Sequence, residues 1–195
     1  VLKPVEVEAS SVQAEVLQGG TVFEHMDLHV PETRPEYTIQ DFNRQDLENI
    51  LSLGIDFLVI PGLVSQDQIQ LIDKVCADKK VTPPWIILKV NSQSTYQTIE
   101  ESLDFAHGVL ISRLELALYI EPALIPIMTK EIIQLCNEKA KVVFVASEML
   151  GSMRHNPTPT RAEVSDIGNA VFDGADAVVL SEEIPYGDYA DRSLK

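Results

Sequence analysis

The sequence predicts an α/β fold with parallel strands, assembled as part of a TIM-type (β/α)8 barrel. Three observations point there. Short apolar runs recur roughly every 25–35 residues with a helical pattern between them, the spacing of right-handed β-α-β crossovers. The runs at residues 55–60, 85–90, 108–112, 141–145 and 176–181 are rich in Val, Ile and Leu and do not alternate with polar residues, as strands buried on both faces require. Polar residues gather just past the runs: Lys89 and Asn91, Arg113 and Glu115, Ser147 and Glu148, Ser181 and Glu183. Chemistry at the carboxyl ends of successive strands is a barrel's habit, whereas an open sheet collects ligands at one switch point. No Gly-x-Gly-x-x-Gly or Walker sequence follows any run. A full barrel takes about 250 residues. Five clear strands, with a sixth candidate at residues 36–39, make a partial barrel: a piece of a larger polypeptide, or one whose missing strands come from elsewhere.

The elements follow in order. Residues 1–32 are Val-rich, with strand patterns at 5–7 and 21–30 and Gly19-Gly20 as the turn, a β-rich module separate from the rest. Residues 31–41 read as a linker. A helix over 41–53 stops at Gly54, and the strand at 55–60 is closed by Pro61-Gly62. Ser65 caps a helix running to 78, with Ile69, Leu71, Ile72 and Val75 on one face. Pro83-Pro84 precede the strand at 85–90. A helix spans 94–106 and a strand 108–112. A short segment at 114–119 leads into a helix at 123–139 that is apolar on more than one side, marking either a protein–protein surface or the burial of a barrel helix. After the strand at 141–145, Thr160 and Glu163 form a capping box for a helix over 160–174. The last strand is 176–181, and the tail from Pro185 is polar.

Composition narrows the partners. A net charge of -15 argues against a nucleic-acid backbone or an anionic membrane surface as the main partner. No apolar run reaches the ~20 residues of a membrane span, and the first residues show no charged-then-apolar pattern, so no targeting segment is expected in the sequence given. Cys76 and Cys136 lie far apart in helical patterns and read as buried, reduced thiols of an intracellular, soluble protein. His25, His29, His107 and His155 show no metal spacing and read as surface residues, and Glu182-Glu183 as a solvated acidic run. Taken alone, Lys89 is a solvated strand-end lysine. Asn91 with Glu115 is a weak metal pair. Arg113 either pairs with an acid such as Glu115 or meets a substrate.

One stretch carries more. Ala146-Ser147-Glu148-Met149-Leu150-Gly151-Ser152-Met153, then Pro159-Thr160-Arg161-Ala162-Glu163 with Ser165-Asp166-Ile167-Gly168-Asn169-Ala170-Val171 and Asp173-Gly174-Ala175-Asp176, resembles the pyruvate kinase family. Val179-Leu180-Ser181, Glu183 and Gly187-Asp188-Tyr189 extend the likeness, which covers residues 5–191. It implies a remnant of the β-rich lid domain at 1–32 and, at 33–195, a partial barrel from the third to the eighth strand region. The C-terminal regulatory domain and the first barrel strands, which carry the potassium and phosphate ligands, are absent. It also implies transfer of a phosphoryl group from phosphoenolpyruvate to ADP with Mg and K, catalysed mainly by charge neutralisation.

Carried over by position, the resemblance makes Lys89 the catalytic lysine and Ser147 the hydroxyl that helps protonate the enolate, in place of a threonine. Arg113, Leu114, Glu115 and Ser147 become substrate-binding positions, and Glu115 and Asn91 the metal positions. Arg161 becomes an interface candidate. The departures are several. Asn91 replaces a metal-binding glutamate and Glu115 an aspartate. Leu114 and Ala117 replace glycines of a carboxylate-binding backbone, where leucine adds bulk and resists positive φ. Glu148 replaces a glutamine, Pro61-Gly62 a Ser-Phe pair, Met26 a nucleotide-binding lysine and Glu182 a glycine. Together they point to a degenerate protein whose fold outlived its chemistry, serving as a non-catalytic scaffold or assembly subunit with a protein partner or as a homo-oligomer. The alternatives are a divergent pyruvate kinase and a phospho-ligand-sensing regulatory module. The compartment is cytoplasm or plastid stroma.

Overall fold

The computed structural model describes residues 2–21, 44–62 and 64–195. By its contacts the chain divides into two units, Val1–Glu32 and Thr33–Lys195. In the first, β1 (Leu2–Val7) and β2 (Val12–Val16) form an antiparallel hairpin with every residue exposed. The chain turns at Glu8 to Ser11, not at Gly19-Gly20: the Glu8 N–H donates to the Ser11 carbonyl (2.8 Å) and the Ser11 hydroxyl to the Glu8 carboxylate (2.8 Å). Short polar side chains that close the turn themselves outcompete glycines lying past the second strand. A two-stranded hairpin is marginal in water on its own. The expected strands at 21–30 and 36–39, the linker and Met26 fall on residues 22–43, outside the described residues.

The second unit holds α1 (Arg44–Leu51), β3 (Phe57–Pro61), α2 (Gln66–Lys79), β4 (Trp85–Val90), α3 (Gln93–Gln97), α4 (Ile99–Leu103), β5 (Gly108–Ser112), α5 (Arg113–Leu116), α6 (Ile125–Glu138), β6 (Val142–Ala146), α7 (Arg161–Asp173), β7 (Ala177–Val179) and α8 (Ala190–Ser193). The five strands β3 to β7 are parallel, and their order in the sheet is their order in the chain. A doubly wound sheet reverses at a switch point; this one does not, which is the arrangement of successive barrel strands.

Register sorts the strand residues into two layers. Leu58, Ile60, Ile86, Leu88, Val90, Val109, Ile111, Val143 and Val145 join Ile72, Val75 and Cys76 of α2, Leu103 of α4 and Ile132, Ile133 and Cys136 of α6 in one core cluster. Each fully buried Leu or Ile of this layer contributes about 1.5–3 kcal/mol. The other face carries Phe57, Val59, Trp85, Ile87, Lys89, Leu110, Ser112 and Phe144. Phe57, Val59 and Trp85 remain 52%, 40% and 50% exposed near β3, the first strand of this sheet among the described residues.

Two sequence expectations change. The helix over 94–106 is two short helices parted at Thr98, where the backbone leaves helical geometry (φ -105°, ψ 10°). The Thr98 hydroxyl donates back to the Ser94 carbonyl (3.0 Å), a local bond that competes with helix continuation. The segment at 114–119 begins as one helical turn, α5. Elsewhere the caps behave as read: Ser65 and Gln68 close a capping box on α2, and Thr160 and Glu163 one on α7.

Gly108 is dictated by packing. A Cβ built there would lie 2.3 Å from Val142 Cγ2 and 2.4 Å from the Val142 carbonyl oxygen. Because one obstacle is backbone, β5 and β6 would have to part. Gly108→Ala is expected to destabilise the fold by about 1–3 kcal/mol, read as a lower urea midpoint; an unchanged midpoint would refute that close approach.

Candidate functional site

Lys89 lies on the inner face of β4, in register with Pro61 of β3 and Leu110 of β5. Asn91 follows β4 directly. Ser112 ends β5, and the chain turns at once into α5, which carries Glu115. Three of these four residues, drawn from two strand ends, meet on the carboxylate of the fourth, Glu115. Glu115 pairs with the Lys89 ammonium. It accepts from Asn91 Nδ2 (2.9 Å) and from the Ser112 hydroxyl (3.0 Å). Burial pushes the Glu115 carboxyl up, but the hydrogen bonds from Lys89 and Asn91, the Lys89 charge and the Ser112 bond outweigh it, and the group ends below the ordinary glutamate value. The carboxylate is therefore ionised at neutral pH. Of the predicted positions, Lys89, Asn91 and Glu115 are brought together; Ser112 is an added partner whose only signal in the sequence is its place at the strand end.

The donor set suits a magnesium ion shared with a phosphate-bearing substrate, since Mg²⁺ accepts one or two carboxylates and completes its octahedron with phosphate and water oxygens. Glu115 would supply the charge and Asn91 its amide oxygen, the amide nitrogen being turned to Glu115. No group of three or more His, Cys, Asp or Glu side chains that could by itself hold a metal ion occurs among the described residues. The ion would have to share Glu115 with Lys89.

Arg113 does not pair with Glu115. Two residues apart on a helical turn, the side chains diverge. The Arg113 guanidinium donates instead to Asp166 of α7 (2.6 Å) and to the Ser147 carbonyl (2.6 Å). Its Nε is buried without a partner. Ser147 and Glu148 adopt positive φ, 76° and 55°, two consecutive non-glycine residues in the left-handed region. Such residues are strained by roughly 1–3 kcal/mol each and persist where surroundings over-determine them. Here Arg113 holds one side of the turn. Met149 is fully buried below it, and the Leu150 N–H donates to Glu183 (3.3 Å). Glu183 is 2% exposed, so the expected solvated run is split: Glu182 pairs with Arg154 on the surface and Glu183 is interior.

Leu114 is 52% exposed and its backbone is helical; Ala117 too is helical (φ -64°, ψ -13°). Positive φ therefore falls not at these two residues but at Ser147 and Glu148. Arg161 is the exposed first residue of α7. Cys76 and Cys136 are buried and free, with burial first among the causes that push both thiols up, Cys136 to about 12.

Sequence reasoning also missed the reach of Glu163. Beyond its capping role its carboxylate accepts from the Ser152 N–H (2.7 Å) and hydroxyl (2.5 Å) and from the Thr160 N–H (2.7 Å), tying the β6–α7 loop to the helix that follows it. Burial pushes this carboxyl up, but the Ser152 and Thr160 bonds together bring it down to about 2. A folded-state value below the free value of 4.5 means the stabilisation is complete above about 4.5 and is lost as pH falls through about 2. Glu163→Gln should therefore melt at a lower temperature at neutral pH. Its gap from the parent should narrow below about pH 4.5 and close near 2; a gap independent of pH would refute the assignment.

With this geometry in view, comparison with known proteins is specific. Residues 2–194 match the family described as pyruvate kinase, barrel domain. The chain is 34% identical to a pyruvate kinase of Clostridium perfringens over 190 residues, covering 96% of this chain and 40% of that protein. It is 32% identical to a pyruvate kinase of Geobacillus stearothermophilus (98% of this chain, 33% of the relative) and 34% identical to one of Corynebacterium glutamicum (94% and 38%). The chain thus spans about a third to two-fifths of the length of these relatives. The organisms named are bacteria, which lends nothing to a plastid compartment. No helix among the described residues is long and apolar enough to cross a membrane. The chain belongs to the pyruvate kinase family.

Proposed function

We propose that this chain forms the central part of a pyruvate-kinase-type phosphotransferase that takes phosphoenolpyruvate and ADP as substrates and uses Mg²⁺ and K⁺. In this reading residues 1–32 belong to its lid and 33–195 to its barrel. The observation that carries the reading is the Lys89–Glu115 pair, set between two neighbouring strand ends with Asn91 and Ser112 as further donors. The relatives, all named pyruvate kinase, support it over the scaffold reading. Lys89 offers a positive charge to the phosphoryl group in transfer and to the oxygen that becomes an enolate. Glu115 and Asn91 would hold the divalent ion, which when bound neutralises phosphate charge. Ser147, on the turn after β6, would hand a proton to the enolate carbon and recover one from water. The potassium ligands of the family lie outside this chain.

A second reading, a non-catalytic scaffold or subunit, rests on one observation. Asn91 contributes no charge and Lys89 already neutralises Glu115, so the ion is held by less than in an all-carboxylate site. A site that seats phosphoenolpyruvate without turning it over would be a sensing module. A lactate-dehydrogenase-coupled assay on the full-length protein, run with thermal shifts in Mg²⁺ and phosphoenolpyruvate, separates the three. Turnover that Lys89→Met lowers by about 10²–10³ supports the proposal. A ligand shift without turnover supports sensing. Neither shift nor turnover leaves the scaffold. Asn91→Glu should lower the Mg²⁺ concentration for half-maximal effect by about tenfold, as expected for one added charged ligand; an unchanged requirement would remove position 91 from the ion site.

A further inference from the structure

We propose that Asp166, on the outer helix α7, is a positioning residue of the site: through Arg113 it fixes the backbone of the Ser147 turn. The functional half of this inference rests on the phosphotransfer reading; the mechanical half does not.

Three features carry it. First, the guanidinium forms one continuous bridge, with Nη1 on Asp166 and Nη2 on the Ser147 carbonyl, both at 2.6 Å. A planar fork that spends one arm on a carboxylate and the other on a backbone oxygen fixes direction as well as distance. Second, Arg113 Nε is buried with no partner. A buried N–H left unpaired works against stability, so its presence signals a side chain held in that pose by its outer contacts. Third, the carbonyl it grips belongs to the first of two consecutive left-handed residues, Ser147 and Glu148. Without a partner, that carbonyl is free to swing, and a turn in a disfavoured conformation relaxes. Asp166 itself is 42% exposed on its side chain, at the outer end of the bridge.

Glu163 adds a second hold from the same helix, one turn earlier, on Ser152. The β6–α7 loop is thus fixed at two points by the helix it leads into, and any shift of α7 reaches Ser147 through Arg113. The consequence for chemistry is selective. The hydrogen bond and ion pair of Asp166 go to Arg113 and not to Lys89 or Glu115, so its loss should disturb the proton step at Ser147 more than the seating of the phosphate.

The test uses Asp166→Asn and Asp166→Glu in the full-length protein, with two readouts. Amide hydrogen exchange is followed over residues 147–150 and, as control, over α6. For Asp166→Asn, exchange at 147–150 should rise by about tenfold while α6 stays as in the parent, with Asp166→Glu closer to the parent. In steady state, kcat should fall by about tenfold with the phosphoenolpyruvate KM within twofold, and Asp166→Asn should add little on top of Ser147→Ala. Exchange at 147–150 that does not change, or that rises equally in α6, overturns the proposal. So does a KM that rises as much as kcat falls. If the parent protein shows no turnover, the phosphotransfer reading fails, and the exchange measurement alone decides the bridge.

Discussion

One carboxylate, that of Glu115, collects an ammonium, an amide and a hydroxyl, and it can do so only because β4 and β5 end at matched heights. The parallel register puts Lys89 opposite Leu110, so that Ser112 stands one inner-face step above, and α5 begins at once. A slip of one residue would turn Lys89 into the outer layer and Leu88 and Val90 out of it. That layer is fully buried and would not admit it. The packing of the outer face therefore fixes the chemistry of the inner one. Gly108 belongs to the same constraint, since it lets β5 and β6 approach where a side chain would hold them apart.

The Lys89–Glu115 pair is partly solvated, with side chains 28% and 37% exposed. Its net contribution to stability is therefore small, about 1 kcal/mol or less after screening. Its significance is electrostatic balance. Asn91 is uncharged and Glu115 and Lys89 sum to zero, so a phosphate would meet a site that is polar and not strongly negative. In the same balance a divalent ion gains only one formal negative ligand from these residues. Under the phosphotransfer reading, this charge count is what separates the site from an all-carboxylate one.

Local patterns in the chain were legible. Runs of Val, Ile and Leu, the Ser65 and Thr160 caps and Gly174 after α7 gave strands and helices with nearly their observed limits, because caps and buried runs act over a few residues. Asn91 and Glu115 were legible as a pair past two strand ends, and Lys89 joined them only through the family resemblance. Three things were not. The partner of Arg113 lies 53 residues away on α7, and no spacing rule reaches that far. The left-handed turn at Ser147 and Glu148 is imposed by tertiary contacts against the preference of both residues. Glu183 looks like half of a surface pair; only the fold shows that one acid of two is interior and bonded to Leu150.

These three share a cause. Each belongs to the β6–α7 connection, where backbone preference and observed conformation disagree. A loop left to its own propensities would not hold two successive residues at positive φ. The surrounding elements hold them: Arg113 from β5's end, Glu183 from beyond β7, and Glu163 and Asp166 from α7. Charged groups serve better than apolar contacts here, because a charge-assisted hydrogen bond fixes direction while burial does not. Met149 anchors the depth of the turn and the ionic contacts set its angle. A site arranged this way keeps its shape only while its outer helix stays in place, so the integrity of α7 is part of the chemistry at β6.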